Sequence, residues 1–182
     1  MRQTLKNTTD TYGWISISLH WICALLIFGL FGLGLYMVEL TYYDTWYHDS
    51  FHWHESLGLI FAALLLLRIV WRLRNPKPTA IAANATQQAI ARWAHRMLYL
   101  LMILIPVSGY LISTADGHDI ALFNWLTLPS VTGKVSNMET ISGQIHYWLS
   151  VAIIALTVGH IAAALKHHFI DKDNTLKRIL KP

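Results

Sequence analysis

The sequence predicts an all-α fold, an integral membrane four-helix bundle, and three observations predict it. Of 182 residues, 54% are hydrophobic and 13% charged, against about 25% charged in an ordinary soluble domain. Mean hydropathy is +0.40, and several apolar runs reach the roughly 20 residues needed to cross lipid. The connections between them are short, which suits one domain over residues 1–182.

Taken in order, residues 1–12 form a polar tail carrying Arg2 and Lys6. No cleavable signal peptide is expected, because the start is polar and the following apolar stretch is too long and lacks a small-residue cleavage site. The first span covers about 14–38 and is interrupted only by His20 and small polar groups. A loop, ELTYYDTWYHDSF, follows with acidic and aromatic residues of the interfacial-belt kind. The second span covers about 53–73 and ends in Arg68, Arg72, Arg74, Pro76, Lys77 and Pro78, where the prolines stop the helix. A small polar connector leads to Arg92 and Arg96 at the start of the third span, about 93–114. Pro106 inside it should kink it, with Ser108 or a neighbouring helix compensating the freed carbonyl.

The longest connection runs from Ala115 to Ser142. Its middle, IALFNWLTLP, is apolar but too short to cross, and is expected to lie on the membrane as an interfacial segment. The fourth span covers about 143–167, and a basic amphipathic tail completes the chain. Of the fourteen Lys and Arg residues, only Lys134 falls at the end of the bundle away from the termini. Seven of ten acidic residues (Glu39, Asp44, Asp49, Glu55, Asp116, Asp119 and Glu139) share that end. The positive-inside rule then puts both termini in the cytoplasm. The pI near 9.3 therefore reflects topology and not a nucleic-acid partner. Cys23 is the single cysteine, so no internal disulfide forms, and the lack of CxxCH excludes covalently attached c-type haem.

Histidines inside lipid are costly and point to function. His146 and His160 lie fourteen residues apart on the fourth span, which at about 100° per residue returns the second to within about 40° of the first. The rise separates them by roughly 21 Å, within a bilayer core of about 30 Å. With the termini inside, depth sorts His20 with His160 near the inner face and His54 with His146 near the outer face. A lone intramembrane histidine is commonly a packing or proton-relay residue; four that pair at two depths suit metal ligation better. Zinc would want four ligands, or three and a water, usually with Cys or carboxylate. Two axial imidazoles on a porphyrin iron leave no open position and favour electron transfer. Two b-type haems are therefore expected, with Ala24, Gly29, Gly32, Gly34, Gly58 and Gly159 giving a macrocycle access to the backbone.

His95 competes with His20 and His160 for an inner ligand position and is read as contacting a propionate or a quinone. Arg68, Arg72, Arg92 and Arg96 are available to inner propionates, and Lys134 is the one basic side chain at the outer end. His48, His52, His118, His167 and His168 are read as interfacial polar residues.

These residues resemble the prokaryotic cytochrome b561 family, in SISLHW around His20, HWHESLG around His54, WAHRMLYLLM around His95, and GQIHYWLSVAIIALTVGHIAAALKHHFIDKDNTLKRIL through the tail. The resemblance implies a four-helix bundle in the bacterial inner membrane, holding two b haems by bis-histidine ligation through His20, His54, His146 and His160. It also implies exchange of electrons with membrane ubiquinone, and in close relatives oxidation of superoxide at the periplasmic side. The acidic outer end counts against an anionic substrate. The alternative is a non-catalytic cytochrome subunit docked to a separate redox partner protein, with the aromatic loop and basic tail as docking surfaces. A transporter with histidines as proton relay is a third reading.

Overall fold

The computed structural model describes residues 5–81 and 84–182; Arg2 lies outside them. Four long helices, α1 (Trp14–Glu39), α2 (Tyr47–Arg74), α3 (Ala85–Ser113) and α4 (Met138–Phe169), carry the fold. Each is long and apolar enough to cross a membrane. Leu25, Leu66, Val107 and Ile161 are exposed, as a surface facing lipid requires.

Helix α1 starts at Trp14 as expected, but α2, α3 and α4 start earlier than hydropathy indicates. Helix α2 begins at Tyr47, so His48 and His52 are helical and not in a loop. Helix α3 begins at Ala85, capped by Asn84, whose side chain accepts the Gln87 N–H at 2.8 Å. Its first turns, ATQQAIAR, are too polar to register as a span. Helix α4 begins at Met138 and runs to Phe169, with Lys166, His167 and His168 in the last turn, where the dipole favours positive charge. Helix α3 is continuous through Pro106. The Ser108 hydroxyl donates to the Ile105 carbonyl at 2.8 Å, whereas the carbonyl deprived by Pro106 belongs to Met102, four residues back.

The fold is mostly helical, but the expected interfacial segment folds as a hairpin. Strands β1 (Ile120–Leu122) and β2 (Leu126–Leu128) pair antiparallel, with Ile120 opposite Leu128 and Leu122 opposite Leu126. Phe123 and Asn124 turn with φ of 43° and 60°, a left-handed turn whose twist matches that of paired strands. Ser56, fully buried, docks this turn on α2 by accepting the Phe123 N–H at 3.1 Å. A short helix, α5 (Lys177–Leu180), lies in the tail.

The N-terminal segment, the α2–α3 connector and the tail meet at one end of the bundle. Asn7 donates to the Pro76 carbonyl at 3.1 Å, Arg178 to the Thr79 carbonyl at 2.7 Å, and the Trp21 indole to the Ile179 carbonyl at 2.8 Å. This is the terminal end; the α1–α2 loop and the hairpin form the other. Helix α3 packs closely on α4, and α1 on α2, while α4 barely touches α1. The core is a layer at mid-depth: Cys23, Phe61, Leu65, Leu98, Met102 and Ile153. Ile153 is midway between His146 and His160 on α4, so the driest part of the protein separates the two histidine levels.

Candidate functional site

Helix α4 supplies a histidine to each of two ring pairs. At the hairpin end, His146 faces His54 of α2 with ring centroids 6.1 Å apart and planes at 72°. At the terminal end, His160 faces His20 of α1 at 6.5 Å and 59°. Both pairs lie on the side of α4 that packs least against the rest of the bundle, so each joins helices that otherwise scarcely meet. All four rings are half-buried. Two imidazole nitrogens bonded at about 2 Å to one metal between them place the ring centroids about 6 Å apart. Both pairs have that spacing.

His95 joins the terminal-end group, with its ring 5.3 Å from that of His160. This is shorter than the spacing of the two facing pairs, and His95 is exposed where the other four are not.

The hydrogen bonds around His146 fix which nitrogen is free. Its Nδ1 lies 3.1 Å from the Ile105 carbonyl, which only accepts, and 3.0 Å from the Ser108 hydroxyl. Nδ1 therefore carries the proton and Nε2 keeps its lone pair for a metal. His54 is placed by a different device. Its buried Nδ1 has no hydrogen-bond partner, and its ring lies against Gly34, where a Cβ would come within 3.3 Å of Cε1. Gly109 stands in the same relation to His146, also at 3.3 Å. A Cβ at Gly29, Gly32, Gly58 or Gly159 would meet no protein atom within 4 Å, so these positions face open space and not a neighbouring helix.

The terminal-end site is cationic. Arg68 places a guanidinium nitrogen 3.0 Å from Nδ1 of His20, and Arg68 and Arg72 stack on Tyr99 at 5.3 and 4.7 Å. A guanidinium only donates, so His20 here accepts at Nδ1. Arg92 reaches Gln88 at 3.4 Å, and Arg92 and Arg96 are both exposed. At the hairpin end Lys134 is exposed in the loop and bridges Asp116 through the backbone.

The remaining histidines have local roles. His118 pairs with Asp116, and His52 packs edge-on to Phe123 at 5.8 Å. His167 bonds Asp173 at 2.9 Å and Asp171 at 3.1 Å. That trio brings its ligand atoms within 4.8 Å of one another, but Lys166 already sits 2.7 and 2.8 Å from the two Asp171 oxygens as the cation. Sequence reasoning missed Gly109, Tyr99 and the role of Ser108 toward His146. A lone glycine within a helix was the available signal for Gly109.

Among the described residues no carboxylate bonds any of the four paired rings. Two imidazoles per level, with no carboxylate or thiolate beside them and one lone pair set free, fit a bis-histidine haem better than a zinc site. Residues 11–182 match the family described as prokaryotic cytochrome b561. The chain is 43% identical to cytochrome b561 homolog 2 of Escherichia coli strain K12, over 97% of this chain and 95% of the relative. It is 29% identical to the protein named probable superoxide oxidase CybB of Yersinia pestis, over 93% of this chain and 95% of that one. Cytochrome b561 homolog 1 of Escherichia coli strain K12 is also 29% identical, over 70% and 72%. With its four spanning helices and paired imidazoles, this multi-pass membrane protein of electron transport belongs to the prokaryotic cytochrome b561 family, whose members bind b-type haem.

Proposed function

We propose that the chain carries electrons across the bacterial inner membrane through two b haems and exchanges them with ubiquinone. His20 and His160 hold one haem at the cytoplasmic, terminal end, and His54 and His146 hold the other at the outer, hairpin end. The observation that carries this reading is the matched spacing of the two ring pairs, 6.5 and 6.1 Å, at two levels of one helix separated by roughly 21 Å. When bound, a bis-imidazole haem supplies a six-coordinate iron that passes single electrons and leaves no position for oxygen.

The residues have distinct tasks. Ser108 and the Ile105 carbonyl orient His146, and Gly34 and Gly109 admit the outer rings close to the backbone. The core layer of Phe61, Met102 and Ile153 keeps water out between the levels. With Nε2 as the atom that would hold a haem, His20 would carry its proton on Nδ1, and Arg68 would then turn its donors from the ring to another acceptor. A haem propionate is the kind of anion that a guanidinium holds best. His95, exposed beside His160, is the imidazole left over to donate to a quinone oxygen. At the outer end seven acidic residues face Lys134 alone, which favours a neutral electron donor over an anion such as superoxide.

A redox-difference spectrum with haem quantitation tests the reading. Wild type should carry two b haems; His20→Ala and His160→Ala should lose the same one, and His54→Ala and His146→Ala the other. Retention of both haems in His20→Ala with loss of one in His95→Ala would overturn the pairing. Under a superoxide flux, reconstituted protein should reduce quinone no faster than the spontaneous rate, and Lys134→Ala should not change that.

A further inference from the structure

Charge divides the two levels unequally. At the terminal end Arg68 touches His20 directly at 3.0 Å, and Arg72 shares the Tyr99 face with it. Among the described residues Arg68 forms no salt bridge; it lies against the His20 imidazole, the Tyr99 ring and the Cys23 thiol. No protein carboxylate among the described residues therefore cancels its positive charge. It is half-buried, where solvent screening is weaker than at an exposed site. At the hairpin end no comparable cation stands against the paired rings among the described residues; the cationic side chain of that end, Lys134, is exposed in a loop.

Resting on the di-haem reading, we propose that Arg68 sets the order of the two potentials and thereby the level at which a single electron resides. Reduction adds one negative charge to a site. A cation a few ångströms away stabilises the reduced form. The His20/His160 level is thus the higher-potential site and the His54/His146 level the lower. An electron arriving at the hairpin end passes downhill to the terminal end; one site is oxidised and the other reduced by the same electron, with no bond made or broken. Whether Arg68 contacts the ring or a propionate, its charge stays at the same level, so the effect depends on charge more than on one hydrogen bond.

Spectroscopic redox titration of the purified holoprotein tests this, with His54→Ala and His20→Ala identifying which step belongs to which level. Two resolved steps are expected, the higher lost in His20→Ala. Arg68→Gln should shift the higher step downward and leave the lower step in place, while Arg68→Lys, which keeps the charge, should restore most of the shift. If Arg68→Gln does not retain its haem, Arg72→Gln serves in its place and should give a smaller downward shift of the same step. An unmoved or upward-shifted higher step, or an equal loss of potential in Arg68→Lys, overturns the role of Arg68. Absence of two b-haem components in wild type overturns the di-haem reading itself, and the two failures are distinguishable.

Discussion

The His54 ring lies against the backbone of Gly34 so closely that a Cβ there would stand 3.3 Å from Cε1, and Gly109 meets His146 at the same distance. Both hairpin-end imidazoles thus rest in notches cut into a neighbouring helix. Gly34→Ala and Gly109→Ala should each push a ring by a few tenths of an ångström, at a cost of about 1–3 kcal/mol typical of overpacking. Bulkier Gly34→Leu should abolish the outer site. The expected result is loss of the outer haem with the inner haem at full occupancy, read from haem quantitation and the reduced-minus-oxidised spectrum. Equal loss of both haems would show that the glycines serve helix packing in general.

Ser108 offers a finer lesion. Its hydroxyl contacts Nδ1 of His146 at 3.0 Å while donating to Ile105, and the residue is 5% exposed. Ser108→Ala leaves the Ile105 carbonyl to hold the ring alone. Losing such an orienting partner typically weakens metal binding roughly 10–100-fold. Haem release from the outer site to an excess of a haem-scavenging apoprotein should accelerate at the low end of that range, because one acceptor remains. An unchanged release rate would mean that Ile105 alone fixes the tautomer.

How much of this was legible beforehand follows from the range of each interaction. The spans and the pairing of His20 with His160 and His54 with His146 could be anticipated, because hydropathy and a fourteen-residue spacing are properties of single helices. The first turns of α3 were hidden, since ATQQAIAR stabilises itself by an Asn84 cap and not by apolar content. IALFNWLTLP is a stretch of ten residues whose composition suits a strand or a surface helix equally. Its hairpin depends on Ser56, far away in the chain, accepting the turn's N–H. The contacts of Arg68 with His20 and Tyr99 likewise join three helices, and no local pattern encodes them.

The α1–α2 loop should respond to acid. Asp44 accepts from both the Thr41 backbone N–H and its hydroxyl at 2.7 Å, and these bonds hold its carboxyl below the ordinary value of 3.8. With the folded value depressed, the contribution is complete above the unfolded value and is lost as pH falls through the folded one. The Thr41 amide resonance in detergent-solubilised protein should therefore move with a midpoint below 3.8. A midpoint at or above that value would mean that the loop does not hold this turn in solution. Asp44→Ala should remove the transition altogether.

Phe123 tests what the hairpin is for. A phenylalanine with φ of 43° carries a left-handed cost of about 1–2 kcal/mol, so something must hold it there. Its ring packs at 4.9 Å on Trp53, 5.8 Å on His52 and 5.9 Å on Trp125, each such pair worth about 0.5–1.5 kcal/mol beyond area burial. Phe123→Gly recovers the backbone cost but loses all three contacts, so the balance predicts a lower unfolding temperature. Ser56→Ala, which strips the Phe123 N–H of its acceptor, should cost about 1–3 kcal/mol. Because Ser56 lies two residues beyond His54 on α2, undocking the hairpin opens the outer level to water while the inner level, roughly 21 Å away, stays dry. Thermal unfolding followed at the outer haem's absorbance should thus shift before that of the inner haem in both variants. Simultaneous shifts would place the hairpin's contribution in the bundle as a whole and not at the His54/His146 level.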